Sequence, residues 1–354
     1  MELVEIIQAA LGNRTQSSAS DIHLAFGLPP RLRRDGSLVD LEGAPILDDE
    51  ACVKYAKELS GDDTWKKIEH SGEADLARTY GGIRIRCNIF WQQGHLSTAI
   101  RLLRDEIPAL ETLGLPPVVS TIPDMRRGVV LVTGVTGSGK STTLASILQR
   151  INETRTDHIV TLEDPIEYVY RPKKCLINQR EIGRDTESYA SGLRAALRQD
   201  PDVILIGEMR DLETIEIALT AAETGHLVFA TLHTASAPDS IDRMVEVFPT
   251  GMQKQIRMQL SQTLQAVLSQ QLLPRTGGIG RVCACEIMMV NHAIRNLIRE
   301  GKTPQIANAL ATSANEGSIT MDNTLMHLVS SKIITPETAI RASRDPDQFS
   351  KNIL

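Results

Sequence analysis

Three periodicities of apolar and polar residues alternate along the 354-residue chain. Leu3, Ile6, Ile7 and Leu11 recur at helical spacing and predict an amphipathic helix at the N-terminus. Further on, "EADLARTYGGIRIRCNIFWQQGHLSTAIRLL" reads as three strands that turn at Gly81-Gly82 and near Gly94. Ile83, Ile85, Cys87 and Ile89 alternate onto one face of the middle strand, so Arg84 and Arg86 share the other face; Arg101 lies on the third strand. Asp35-Gly36, inside "RLRRDGSLVDL", predicts a tight hairpin. From residue 128 the pattern changes. "GVVLVT", "HIVTLE", "DVILI" and "HLVFATL" are continuous apolar runs, as expected of strands buried on both faces. Between them stand helical stretches: Leu144, Ile147, Leu148 and Ile151 at i, i+3, i+4, i+7, and "DLETIEIALTAAETG" with Gly225 as its stop. Strand-helix alternation predicts a parallel α/β sheet. From about Gly251 onward "QIRMQLSQTLQAVLSQQLL" reads as helix, followed by one more apolar strand near 281–290.

The Pro-rich, weakly periodic stretch "LGLPPVVSTIPDMRRG" divides these two patterns. The expected organisation is an α+β domain over 1–113, a linker over 114–127, and an α/β domain with a C-terminal helical region over 128–354. Composition changes little in this picture. The chain is 42% hydrophobic and 23% charged, which suits a globular protein. Its net charge of −6 argues against nucleic acid as a direct ligand, which leaves a basic footprint. No apolar run has the length of a membrane span, and the acidic start of "MELVEIIQAALGNRTQ" does not read as a secretory signal. Five scattered cysteines fit a reduced, cytoplasmic protein; Cys283-Ala-Cys285 reads as part of a buried strand, without the second ligand pair of a zinc site.

The strongest chemical signal is "GVTGSGKST", which places Gly134, Thr136, Gly137, Ser138, Gly139, Lys140, Ser141 and Thr142 between a strand and a helix. Glycines let backbone N–H groups curl around phosphates, Lys140 reaches the β- and γ-phosphates, and Ser141 ligates Mg²⁺. The helix that follows points its positive end at the same anion. This predicts ATP and Mg²⁺ as ligands. Ligands of open parallel sheets sit at the carboxyl ends of strands, and Glu163, Glu208 and His233 fall at or just past such ends. His226, at the start of its strand, reads as structural. "VILIGEMRD" carries Gly207 where a nucleotide-hydrolysis strand usually ends in a metal-binding Asp.

"GVTGSGKSTTL", "TLEDPIEYV", "ALRQDPDVILIGEMRDLETI" and "AAETGHLVFATLHTASA" resemble the Walker A, Asp-box, Walker B and His-box signatures of the secretion-type ATPases, the hexameric motors of type IV pili and type II secretion. The resemblance covers essentially the whole chain. Short length, "AAETGHLV" and "AIRNLIRE" (Ala293 to Glu300) are most similar to the pilus-retraction members; the paired CxxC motifs of extension and secretion relatives are absent. The resemblance implies a PAS-like N-terminal domain on a RecA-like core. It implies a homohexamer at the cytoplasmic face of the inner membrane, acting on an inner-membrane pilus platform protein and meeting the membrane through partners. It assigns Glu208 to the attacking water, gives Glu163 the metal-side role beside Ser141, and adds His233 to the catalytic set. It makes Arg84, Arg86 and Arg101 candidates for transition-state charge; without it they read equally well as solvated strand arginines. In "AIRNLIRE", Ile294, Leu297 and Ile298 share one helix face and Arg295 and Arg299 another. The resemblance makes this a coupling element, and alanine at both arginines is expected to spare folding. Rival readings are an extension, secretion or DNA-uptake motor of the same superfamily, a nucleic-acid translocase, and a non-catalytic nucleotide-dependent subunit.

Overall fold

The computed structural model describes residues 1–12, 19–34, 37–103, 106–277 and 280–353. They form two compact units, one of Met1–Glu106 with Pro165–Val169, the other of Ile107–Asp164 with Tyr170–Leu354.

The first unit is a six-stranded antiparallel sheet with helices α1 (Leu3–Leu11) and α2 (Asp49–Ser71). Its strands are β1 (Asp21–Ala25), β2 (Arg31–Arg34), β3 (Ser37–Asp40), β4 (Glu73–Tyr80), β5 (Ile83–Gln92) and β6 (His95–Leu102), in the order β3-β2-β1-β6-β5-β4. Asp35 and Gly36, the predicted hairpin turn, lie outside the described residues; β2 and β3 on either side pair antiparallel, Arg34 opposite Ser37. The alternation in β5 buries Ile83, Ile85, Cys87 and Ile89 against Leu3, Ile6 and Ile7 of α1 and Leu59 and Ile68 of α2. α2 breaks at Gly61, whose φ of 69° interrupts the helical ladder.

The second unit is built on a seven-stranded sheet ordered β13-β12-β7-β11-β10-β8-β9. The chain runs β7 (Gly128–Thr133), α3 (Lys140–Thr154), β8 (His158–Glu163), β9 (Leu176–Glu181), α4 (Tyr189–Ala196), β10 (Val203–Ile206), α5 (Leu212–Glu223), β11 (Leu227–Leu232), α6 (Ala237–Glu246), α7 (Thr250–Thr263), β12 (Leu264–Pro274) and β13 (Arg281–Met289). Five short helices follow: α8 (His292–Glu300), α9 (Ile306–Thr312), α10 (Met321–Ser330), α11 (Pro336–Ala342) and α12 (Pro346–Ile353). All neighbouring strands are parallel except the β12–β13 pair, so the sheet is mixed. β7, β10 and β11 are buried along their whole length, which is why their sequences are apolar apart from the buried Thr133 and Thr231.

Two readings from periodicity change. "LQAVLSQQLLP" is strand β12, not a continuation of helix α7. Short apolar runs satisfy both periods, and here tertiary pairing decides, because Leu264–Ser269 pair with β7 on one side and Ala266–Pro274 with β13 on the other. The stretch 114–127, expected as a linker, groups with the second unit. It forms 3₁₀ turns that bury Val119 and Ile122. Arg155, buried just past α3, donates to the carbonyls of Pro123 at 2.9 Å and Met125 at 2.7 Å.

Candidate active site

Parallel register brings the candidate loops to one edge of the seven-stranded sheet. β7 ends at Thr133 opposite Leu232 of β11, and Ile206 of β10 lies between Ala230 and Leu162. The residue that follows each strand therefore belongs to a candidate loop: Gly134 after β7, Gly207 after β10, His233 after β11. Glu163 is the last residue of β8.

The loop after β7 needs its glycines. Gly134, Gly137 and Gly139 have φ of 136°, 80° and 96°, a region other residues reach only with strain. Gly134 is fixed twice, since a Cβ there would also stand 2.4 Å from the Gln270 carbonyl oxygen. Gly139 caps the N-terminus of the 15-residue helix α3, so the helix's unpaired N–H groups face the loop. Lys140 Nζ donates to the carbonyls of Gly134 at 2.8 Å and Val135 at 3.1 Å, and the residue is only 9% exposed. Ser138 Oγ is buried and has no hydrogen-bond partner among the described residues, a donor suited to a phosphate oxygen. Thr136, Gly137 and Ser141 are exposed. The arrangement can hold a polyphosphate.

Gly207 explains the absent carboxylate. A Cβ there would stand 3.0 Å from the Tyr189 hydroxyl, 3.1 Å from the Leu162 carbonyl oxygen and 3.4 Å from Glu163 Cα. β8 and β10 close together at this point, and the Gly207 N–H donates to Leu162 at 2.8 Å. A larger residue requires these neighbours to give way by a few tenths of an ångström. Glu208 is held from both sides instead. Its Oε2 accepts from Arg210 at 2.6 Å, and its Oε1 lies 3.4 Å from His233 Nε2. The Arg210 hydrogen bond holds the carboxyl below the usual glutamate range, against partial burial that pulls it up, and His233 adds to the lowering. Glu163 Oε1 accepts from Thr161 Oγ1 at 2.7 Å and from Gln179 Nε2 at 3.1 Å, so its carboxylate is oriented by its own strand and by β9.

The remaining candidates fall elsewhere. His226 sits at the opposite edge of the sheet, where Nδ1 lies 2.8 Å from the Ala221 carbonyl at the end of α5, a structural contact. In the first unit Arg86 and Arg101 are direct cross-strand partners on one face, and Arg101 pairs at 2.9 Å with Asp21. Arg84 donates to the Ile166 carbonyl at 3.3 Å. Arg295 of α8 is not one of two solvated arginines. It is half-buried and donates to the carbonyls of Ser261 at 2.8 Å and Gln262 at 3.0 Å and to Gln265 Oε1 at 3.1 Å, closing the C-terminus of α7. Alanine at Arg295 is therefore expected to cost stability, because three backbone and side-chain acceptors depend on it. Arg299 is exposed and bonds Asn296.

Sequence reasoning missed Arg210, though it stands two residues after Glu208 in the same loop, a spacing that could have flagged it. Gln179 left no signal, because its contact with Glu163 depends on the pairing of β8 with β9, whereas Thr161 stands two residues before Glu163 on the same face of β8.

Fold and site define a phosphate-loop nucleotide-binding protein of the parallel α/β class. More particularly, the chain belongs to the type II/IV secretion system protein family, whose model matches residues 2–339. It is 45% identical to the type IV pilus retraction ATPase PilT of Pseudomonas aeruginosa over 99% of this chain and 100% of that protein. It is 44% identical to a twitching motility protein of Neisseria gonorrhoeae, over 95% of this chain and 89% of that one. Among solved structures, the pilus retraction motor PilT with bound ADP superposes with a TM-score of 0.90 at 46% identity, covering 98% of both chains. The ATPase DotB of Legionella pneumophila superposes at 0.76 with 28% identity over 91% of this chain and 90% of that one.

Proposed function

We propose that the chain is a homohexameric motor that hydrolyses ATP to retract type IV pili. The observation that carries the reading is Glu208, held between Arg210 and His233 two strands across the sheet from the phosphate loop. Full-length likeness to a retraction motor whose structure holds ADP supports the nucleotide. In this reading the loop amides of 134–142 and Lys140 hold the phosphates. Ser141 and Glu163 are the oxygen ligands for Mg²⁺, a hard cation that takes one or two protein oxygens alongside substrate phosphates. When bound, the ion would supply charge neutralisation to the transferring phosphoryl group. Glu208, kept ionised, orients the attacking water and takes its proton, and His233 fixes the carboxylate's direction. Arg84, Arg86 and Arg101 provide positive charge for the transition state.

None of the described helices is long and apolar enough to cross a membrane. The proposed location is the cytoplasmic face of the inner membrane, reached through a pilus platform protein. Two measurements test the reading. Purified chain hydrolyses ATP in Mg²⁺ and stops in chelator. Cells lacking it accumulate long pili that do not retract; bald cells would assign the motor to extension instead.

A further inference from the structure

Strand β12 meets the phosphate loop at both of its ends. The Gln270 carbonyl packs against Gly134, where the loop opens, and the Leu272 side chain lies 3.7 Å from where a Cβ on Gly139 would stand, where the loop closes. Between these points the Gln270 side chain crosses to α3 and its Nε2 donates to Thr143 Oγ1 at 2.9 Å. Gln270 is 1% exposed, and Thr143 is 3% exposed. The other half of the amide, Oε1, is buried with no hydrogen-bond partner among the described residues. A buried, half-satisfied amide costs stability relative to an apolar residue of similar shape. Local rules broken in this way mark positions kept for function.

We propose that Gln270 is a positioning residue for the phosphate loop, tying the first turn of α3 to the strand beneath so that the loop is held open at its nucleotide-binding curvature. This rests on residues 134–142 being the nucleotide site. The backbone contact holds the start of the loop and the side-chain hydrogen bond holds its end. Removing the second lets α3 pivot away from the loop. Positioning residues change ligand affinity without touching ligand, because the ordering cost moves to the binding step.

The test uses the full-length chain, titrated with a fluorescent ADP analogue and melted without nucleotide. Gln270→Leu removes the amide and nearly keeps the shape. The Kd for ADP is expected to rise about five- to tenfold, the range of one buried neutral hydrogen bond. The nucleotide-free Tm should hold or rise. Thr143→Val should weaken ADP binding by a similar factor, Thr143→Ser should not, and Gln270→Leu with Thr143→Val should add little to either alone. If Gln270→Leu binds ADP within twofold of the parent while Lys140→Ala abolishes binding, the nucleotide site stands and the positioning role is overturned. If Lys140→Ala binds normally, the site assignment fails and takes this inference with it. A nucleotide-free Tm that falls while Kd stays fixed makes Gln270 structural and also overturns the role. Should Gln270→Leu not fold, the Thr143 pair decides: equal affinities for Val and Ser overturn the proposal.

Discussion

Arg295 and Arg299 look interchangeable in the sequence, one helical turn apart, yet they differ sharply in what they hold. The last four carbonyls of a helix lack intrahelical partners, and Arg295 serves two of them, Ser261 and Gln262, at the end of α7. It also bonds Gln265, the second residue of β12. Burial lowers its pKa, the sign of a guanidinium taken partly out of water. A hydrogen bond to a charged group contributes about 1.5–3 kcal/mol. Three such bonds do not add, because the exposed side of the α7 terminus regains water once the arginine is gone. Arg295→Ala should therefore cost about 2–4 kcal/mol. For a unit of this size each kcal/mol lowers Tm by about 2–4 °C, so the loss is about 4–16 °C overall. Arg299 is exposed and its partner, Asn296, lies three residues back on the same helix. Arg299→Ala should change stability by less than about 0.5 kcal/mol. Thermal melts of the two purified variants without nucleotide decide the matter. Melting within about 2 °C of each other would refute the capping argument. The contrast also selects the probe of coupling: Arg299→Ala can be assayed for ATPase and twitching without a folding defect, and normal twitching would remove α8's Arg299 from the coupling element.

Four further outcomes are expected. Lys140→Ala should abolish the rise in Tm on adding ADP, since no other cationic side chain of the phosphate loop is assigned to the β/γ-phosphates; a full rise would move the phosphate site. Glu208→Gln should retain ATP and slow turnover by about 10²- to 10⁴-fold, the usual contribution of a positioned base; a greater loss for Glu163→Gln with unchanged Mg²⁺ dependence would exchange the two roles. Glu208 has a lowered pKa, so it stays ionised below the usual glutamate range and its charge is lost only as pH falls through that lowered value. Arg210→Ala should therefore shift the acid limb of kcat/KM to higher pH, and an unmoved limb would show that another group sets it. Gly134→Ala should fail to bind nucleotide or fail to fold, because its Cβ would meet the Gln270 backbone at 2.4 Å, and normal binding would mean the loop opens differently.

Much of the second unit was legible in order, because each element declares itself over a few consecutive residues. β7, β10 and β11 are apolar apart from Thr133 in β7 and Thr231 in β11, and the glycine loop stands between a strand and a helix where only glycines tolerate the backbone. The candidate site residues Glu163, Glu208 and His233 followed from one rule, that ligands gather at the carboxyl ends of parallel strands. Tertiary structure alone decided β12. Its residues "LQAVLSQQLLP" satisfy a helical and a strand period alike, and the choice falls to β7 and β13, whose backbone groups would otherwise be unpaired on that side. The same holds for everything that depends on two distant segments meeting: Arg295 on the end of α7, Gln270 on α3, Arg155 on the stretch 114–127, and Gly207 at the closure of β8 on β10. Local sequence sets which element a segment prefers; which polar groups are left unpaired, and so which side chains must serve them, exists only once the chain has packed.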